Sequence, residues 1–202
     1  MSDSTRDQYA RGHARASIDA AWQPRCAPSV QSVPRPLKPW LDEPGSLTRR
    51  LRGLCGGGFN VRVAREGWRI PAVSESLSLG LRLSATGWVR EVLLRCDGQP
   101  LVFARTVMPA AILRGHYRAL RHLGRRPLGS LLFGRDTIRR GPLTVARLEP
   151  PHRLHDRARA LTGVDDAVWA RRSVFHVGTK PILVTEVFLP ELVSRLQQEG
   201  AH

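Results

Sequence analysis

Hydrophobic and polar positions alternate with period two along much of the middle and end of the chain, the spacing of half-buried β-strands. The clearest stretch is Trp88 to Pro109, WVREVLLRCDGQPLVFARTVMP, two β-rich runs joined by Asp97-Gly98-Gln99-Pro100. It reads as a β-hairpin, with turn residues where the chain must reverse. A second pair, Val168 to Val177 and Ile182 to Leu189, is joined through Gly178-Thr179-Lys180-Pro181. Phe59 to Ala64 reads as a strand turning at Arg65-Glu66-Gly67. After a loop over Ile70 to Ser76, Leu77 to Leu83 reads as a weaker strand, and Thr137 to Leu148 completes the set.

Helical spacing is confined to a few places. Ser46 caps a helix over Leu47 to Leu54 that stops at Gly56-Gly57-Gly58. Ala110 to Leu123 carries the stripe Ile112, Leu113, Ala119, Leu120 and Leu123, followed by a short helix over Pro127 to Phe133. Glu191 to Gln198 closes the chain as a helix, while Pro150 to Ala160 reads as an exposed loop or irregular helix. Met1 to Pro36 shows no sustained period, and Pro34, Pro36 and Pro39 suit an extended lead-in. The pattern predicts a mobile N-terminal tail over 1–39 and one domain over 40–202. That domain is α+β, a single antiparallel sheet of about six strands with inserted helices. Helices that do not alternate with strands argue against a doubly wound parallel sheet.

Two charged residues break the alternation. Arg90 shares a strand face with Trp88, Val92 and Leu94, and Glu186 shares one with Ile182, Val184 and Phe188. A guanidinium cannot shed its charge, so a buried one must meet an anion. Either the two residues pair with each other as a structural salt bridge, or both face a cavity that holds a polar ligand.

Composition narrows the partners. At 202 residues the chain fits one domain with a sizeable core. Its formal charge of +15 invites a nucleic-acid hypothesis. Yet only Lys38 and Lys180 are lysines, leaving 30 arginines among 32 basic residues, scattered apart from short pairs. No zinc-finger, basic-zipper or RNA-recognition pattern accompanies them. The charge reads as solvated surface that favours small anionic substrates, and no nucleic-acid partner is expected. The triple glycine follows a helix and lacks the lysine of a phosphate loop. Cys26, Cys55 and Cys96 are odd in number and far apart, so neither a metal motif nor a disulfide framework is expected, as suits a reducing cytoplasm. No run has the apolar length of a membrane span, and the N-terminus lacks a secretory core. A cytoplasmic location without stable membrane insertion is expected.

The blocks WVREVLL, DGQP and ARTVMP, then LGRRPLGSLLF, then GTKPILVTEVFLP, occur in an order and spacing that resemble the chorismate–pyruvate lyase (4-hydroxybenzoate synthase) family. The resemblance runs from roughly Leu41 to Pro190 and is weaker between Gly141 and Ala167. It implies flap-like helical segments over a buried ligand cavity, in a monomer. It also implies elimination of pyruvate from chorismate to give 4-hydroxybenzoate, the first step of ubiquinone synthesis, with no cofactor and no metal. Arg90 in WVRE matches the family's carboxylate-binding arginine, and Glu186 in VTEVFLP its glutamate near the ligand hydroxyl. Leu128 in PLG matches a residue touching the ligand through its backbone, and Leu47 in GSLTRRL an apolar flap residue over the product. On the residues alone, Leu47 and Leu128 are ordinary core leucines. Arg105 in ARTVMP and Arg172 in WARRS are weaker anion-binding candidates. The competing readings are a non-catalytic module binding aromatic carboxylates on the same fold, as in effector domains of some bacterial regulators, and a basic nucleic-acid-binding protein.

Overall fold

In a computed structural model of the chain, residues 22–27, 31–132 and 138–199 are described. One antiparallel sheet runs through them in the order β1 (Gln23–Pro24), β6 (Thr144–Leu148), β7 (Val168–Val177), β8 (Lys180–Phe188), β4 (Gln99–Pro109), β3 (Gly87–Cys96), β2 (Phe59–Arg69), with β5 (Ile138–Arg140) also pairing β7. The two expected hairpins form its centre. They are β3 (Gly87–Cys96) with β4 (Gln99–Pro109), and β7 (Val168–Val177) with β8 (Lys180–Phe188). β4 and β8 lie side by side, which joins the hairpins into a four-stranded core. Asp97 and Gly98 both take positive φ in the first turn, the left-handed geometry of a tight two-residue connection.

The outer strands depart from expectation in instructive ways. β2 (Phe59–Arg69) does not turn at Arg65–Gly67; a bulge between Val63 and Arg65 absorbs one residue and the strand continues beside β3. Thr137 to Leu148 is two strands, β5 (Ile138–Arg140) and β6 (Thr144–Leu148), separated at Gly141-Pro142; residue 137 is outside the described set. The two-residue β1 (Gln23–Pro24) pairs with β6 from inside the expected tail. Among the described residues the sheet therefore has eight strands, two of them very short.

Leu77 to Leu83 is not a strand. Val73–Ser78 forms a short helix, and Gly80 at φ +62 ends it. The Glu75 carboxylate accepts the Ala72 N–H at 2.8 Å, and two of the alternating leucines, Leu77 and Leu83, face solvent. Ala110 to Leu123 is two 3₁₀ segments, Ala110–Leu113 and Gly115–His122, in place of one α-helix. In chain order the α-helices are α1 (Lys38–Leu41), α2 (Leu47–Cys55), α3 (Val73–Ser78), α4 (Gly129–Leu132), α5 (Arg153–Thr162) and α6 (Pro190–Glu199). Of the loop or irregular helix expected over Pro150 to Ala160, the structure has a regular helix, α5: His152 caps it and Gly163, at φ +74, ends it.

Helices cover both faces of the sheet. On the front, α2 and the 3₁₀ pair enclose two apolar clusters, one built around Leu47, Leu51 and Val92, the other around Met108, Ile112 and Phe175. On the back, α5 covers Phe103, Ala170 and Val187, while the turn after α3 brings Leu79 onto Val89 and Val107. The expected tail boundary at residue 39 is too late. Val33 and Leu37 are buried in the front core, and a 3₁₀ turn at Arg35–Leu37 leads into α1. Residues 1–21 of that expected tail lie outside the described residues.

The cysteine expectation also fails. Cys55, at the end of α2, and Cys96, at the end of β3, form a disulfide with Cα atoms 5.5 Å apart. They are 41 residues apart in sequence and become neighbours because the triple-glycine turn folds α2 back onto the sheet. Among the described residues, no helix is long and apolar enough to cross a membrane.

Candidate active site

A cavity lies on the front face, between the sheet and the helical covers. Strand alternation builds its floor: Arg90 and Val92 from β3, Ala104 and Thr106 from β4, Val184 and Glu186 from β8. Arg90 stands opposite Thr106, which stands opposite Val184, while Glu186 is flanked by Ala104 and Arg171. The two out-of-pattern charges thus face one cavity from strands separated by β4. Of the two arrangements the sequence left open, they line a cavity and do not pair with each other.

Each charge has its own partners. The Arg90 side chain is buried; Nη1 donates to Glu66 Oε1 at 2.7 Å, and Nη2 to the carbonyls of Gly124 (2.7 Å) and Arg126 (3.2 Å). Arg90 therefore ties the 124–126 segment to the sheet, while its Nε–H has no acceptor among the described residues. Glu186 Oε2 accepts from Arg171 Nε at 2.6 Å. Arg171 is also buried, and its Nη1 donates to the carbonyls of Trp40 (2.8 Å), Leu41 (3.3 Å) and Glu43 (2.9 Å). Those carbonyls belong to the end of α1 and the residues after it, where a cation meets the negative end of the helix.

A third arginine, Arg140 of β5, lines the same cavity. Its Nε donates to Ser173 Oγ at 2.9 Å and its Nη1 to the carbonyls of Glu43 and Pro44, each at 3.1 Å. Burial, followed by repulsion from Arg171, pulls its pKa down to about 10, so it stays charged at neutral pH. Arg140 and Arg171 together fasten residues 40–44, which lead into α2.

The roof consists of two short pieces. Ser46 accepts from Arg49 N at 3.3 Å as the cap of α2, which places buried Leu47 over the cavity. Pro127, Leu128 and Gly129 come from the other side at the start of α4. The two pieces touch: a Cβ on Gly129 would lie 3.0 Å from Ser46 Oγ and 3.3 Å from Thr48 Oγ1. Arg90, Glu186, Leu47 and Leu128 therefore line one cavity.

Arg105 and Arg172 do not join them. Both sit one step out of phase with the cavity-lining residues and face the back of the sheet. Arg140, Arg171 and Glu66 escaped the sequence reading. Arg171 carried only an ambiguous signal, since on β7 it shares a face with Trp169 and Phe175, while Arg172 shares the other with Ala170 and Val174. Arg140 and Glu66 gave none, because a three-residue strand and a bulged one hide the alternation.

A family model described as "Chorismate lyase" matches residues 16–198, extending N-terminal of the Leu41 start expected from the motifs. The probable chorismate pyruvate-lyase of Methylococcus capsulatus is 45% identical over 158 residues, covering 78% of this chain and 97% of that one. The protein of the same name from Thiobacillus denitrificans is 41% identical over 192 residues, covering 95% and 98%. Among solved structures, the effector domain of PhnF from Mycobacterium smegmatis superposes with a TM-score of 0.51 at 19% identity. That match covers 73% of this chain and 90% of that one, and it is a likeness of fold. With the cavity, the family match and relatives aligned over nearly their whole length, the chain belongs to the chorismate lyase family and is a lyase acting on chorismate.

Proposed function

We propose that the protein eliminates pyruvate from chorismate to give 4-hydroxybenzoate, supplying the first step of ubiquinone synthesis in the cytoplasm. The observation that carries this reading is the single cavity with Arg90 at one end and the Glu186–Arg171 pair at the other. Chorismate is a dianion, with one carboxylate on the ring and a second on the enolpyruvyl ether. Arg90 takes the ring carboxylate, for which its unengaged Nε–H is available as a charge-assisted donor. Glu186 meets the ring's hydroxyl end, and Arg140 and Arg171 bring positive charge to that end, where the second carboxylate must lie.

The reaction removes the proton from the hydroxyl-bearing carbon and breaks the ether C–O bond. The departing enolpyruvate takes up a proton to become pyruvate. Formation of the aromatic ring supplies the driving force, and the step as proposed draws on neither metal nor redox cofactor. The chain's contribution is to orient the ring, exclude water beneath the flaps and handle the proton, for which Glu186 is the carboxylate at hand. A substrate with two fixed charges does not cross a bilayer unaided, which places the reaction in the compartment where chorismate is made. Purified protein incubated with chorismate in excess EDTA should release pyruvate and 4-hydroxybenzoate in equal amounts, measured by coupled dehydrogenase assay and chromatography. Pyruvate without the aromatic acid, or activity that returns only with added metal, would overturn the reading.

A further inference from the structure

A second cavity lies on the back of the sheet between α3 and α5. Five guanidiniums line it, those of Arg65, Arg105, Arg153, Arg157 and Arg172, against two carboxylates, Glu75 and Glu91. Both glutamates are almost fully buried and are consumed within the lining. Arg105 grips Glu75 through two bonds, Nε–Oε1 at 2.7 Å and Nη2–Oε2 at 2.9 Å, and reaches Glu91 Oε1 at 2.6 Å. Arg157 Nε donates to the other Glu91 oxygen at 2.7 Å, and Arg65 stands 3.9 Å from it. Burial alone would lower the pKa of Arg105, but its bonds to Glu75 and Glu91 outweigh that and raise it above the ordinary arginine value.

Four of these guanidiniums, those of Arg65, Arg105, Arg153 and Arg157, meet two carboxylates, so together they keep two positive charges in surplus among the described residues. The outer nitrogens of Arg157 and the guanidinium of Arg153 have no hydrogen-bond partner among the described residues. Arg172 is braced by the Trp22 ring, 4.4 Å away, and by Ser74 Oγ at 3.3 Å. Arginines that merely solvate a surface need no buried carboxylates to aim them. Here two glutamates fix the inner guanidiniums, while Arg153 and the outer nitrogens of Arg157 line the open space beside them.

We propose that this back-face cavity binds a small polyanion, a diphosphate or a tricarboxylate, independently of the substrate site. A monocarboxylate would leave half of that surplus charge unanswered, whereas a compact group with several negative oxygens meets several guanidiniums at once. The sheet separates the two cavities, so an occupant of one does not displace an occupant of the other.

Calorimetric titration with inorganic diphosphate, and separately with citrate, at fixed ionic strength and with or without saturating 4-hydroxybenzoate, tests this. Binding should persist when 4-hydroxybenzoate is present and should weaken roughly tenfold in Arg153→Gln, the loss of one charge-assisted contact. Arg153 is an exposed residue on the first turn of α5, so this variant should fold, which a melting curve verifies. Tighter binding of diphosphate assigns a phosphate source, and tighter binding of citrate a carboxylate one. Displacement by 4-hydroxybenzoate, undiminished binding in Arg153→Gln, or no binding of either probe would overturn the proposal. The Arg153→Gln comparison reads the back face whether or not the front cavity accepts 4-hydroxybenzoate.

Discussion

At Glu186 a carboxylate oxygen lies 2.6 Å from the Nε of a buried arginine, so neither charge can be altered without consequence for the other. Glu186→Gln keeps the shape of the side chain but leaves Arg171 without its counter-ion. Turnover of chorismate should fall by roughly 10²–10⁴-fold if the carboxyl group handles the proton. Stability should fall as well, by on the order of 3 kcal/mol, because a buried charge loses its partner. Thermal melts and single-turnover assays on this variant measure the two effects. An unchanged melting temperature would show that the three backbone carbonyls around Arg171 suffice to hold it. At this scale the sequence was informative wherever a charge interrupted an apolar face. That criterion picks out Arg90 and Glu186 unaided, but applied to β7 it does not separate Arg171 from Arg172, which stands between Ala170 and Val174 on the opposite face. Leu47 and Leu128 carry no such mark, since a leucine over a ligand and a leucine in a core look alike along the chain; only the family motifs single them out.

Two short elements close the front cavity, and Gly129 marks the seam between them. A methyl group there would press on Ser46 Oγ and Thr48 Oγ1. Ser46 is not free to yield, because the same hydroxyl caps α2. Gly129→Ala should therefore part the flaps and leave the sheet intact. Overpacking of this kind costs roughly 1–3 kcal/mol, here drawn mainly from the closed state, so the Kd for 4-hydroxybenzoate should rise several-fold or more. Stopped-flow measurement of product release should show a faster off-rate, and an unchanged off-rate would mean that the seam does not gate the cavity. The flaps are also where local pattern was least informative. Period two is rigid, so both central hairpins were readable to within a residue or two. The apolar stripe over 110–123 fits an α-helix equally well, and only packing against β4 and β8 selects two 3₁₀ turns. α5 was obscured by the prolines before it, and α3 by leucines whose alternation mimics a strand although two of them face water.

For the whole molecule, the sheet is a partition with an arginine-lined cavity on each side, and the +15 charge of the chain is thereby partly put to use. The same partition does something further. Arg90 and Glu186 stand on β3 and β8 with β4 between them, and hydrogen-bonded strands have a fixed spacing, so two intervals hold these strands about 9.6 Å apart. Side chains can bend, but this backbone interval cannot be changed without unpairing the sheet. The sheet is thus a ruler, and a benzene ring laid across it is measured by where its oxygens fall. A carboxylate and a hydroxyl in para positions point along opposite ends of one axis and reach both graduations; in the meta or ortho isomer, one group swings off the scale. In competition binding, 3-hydroxybenzoate and 2-hydroxybenzoate should therefore each lose the Glu186 contact and bind roughly tenfold or more weakly than 4-hydroxybenzoate. Equal affinity of the three isomers would show that the strands do not set the gauge. If they do, no single side-chain substitution will convert the protein to a meta preference, because its positional selectivity is written in the spacing of peptide hydrogen bonds.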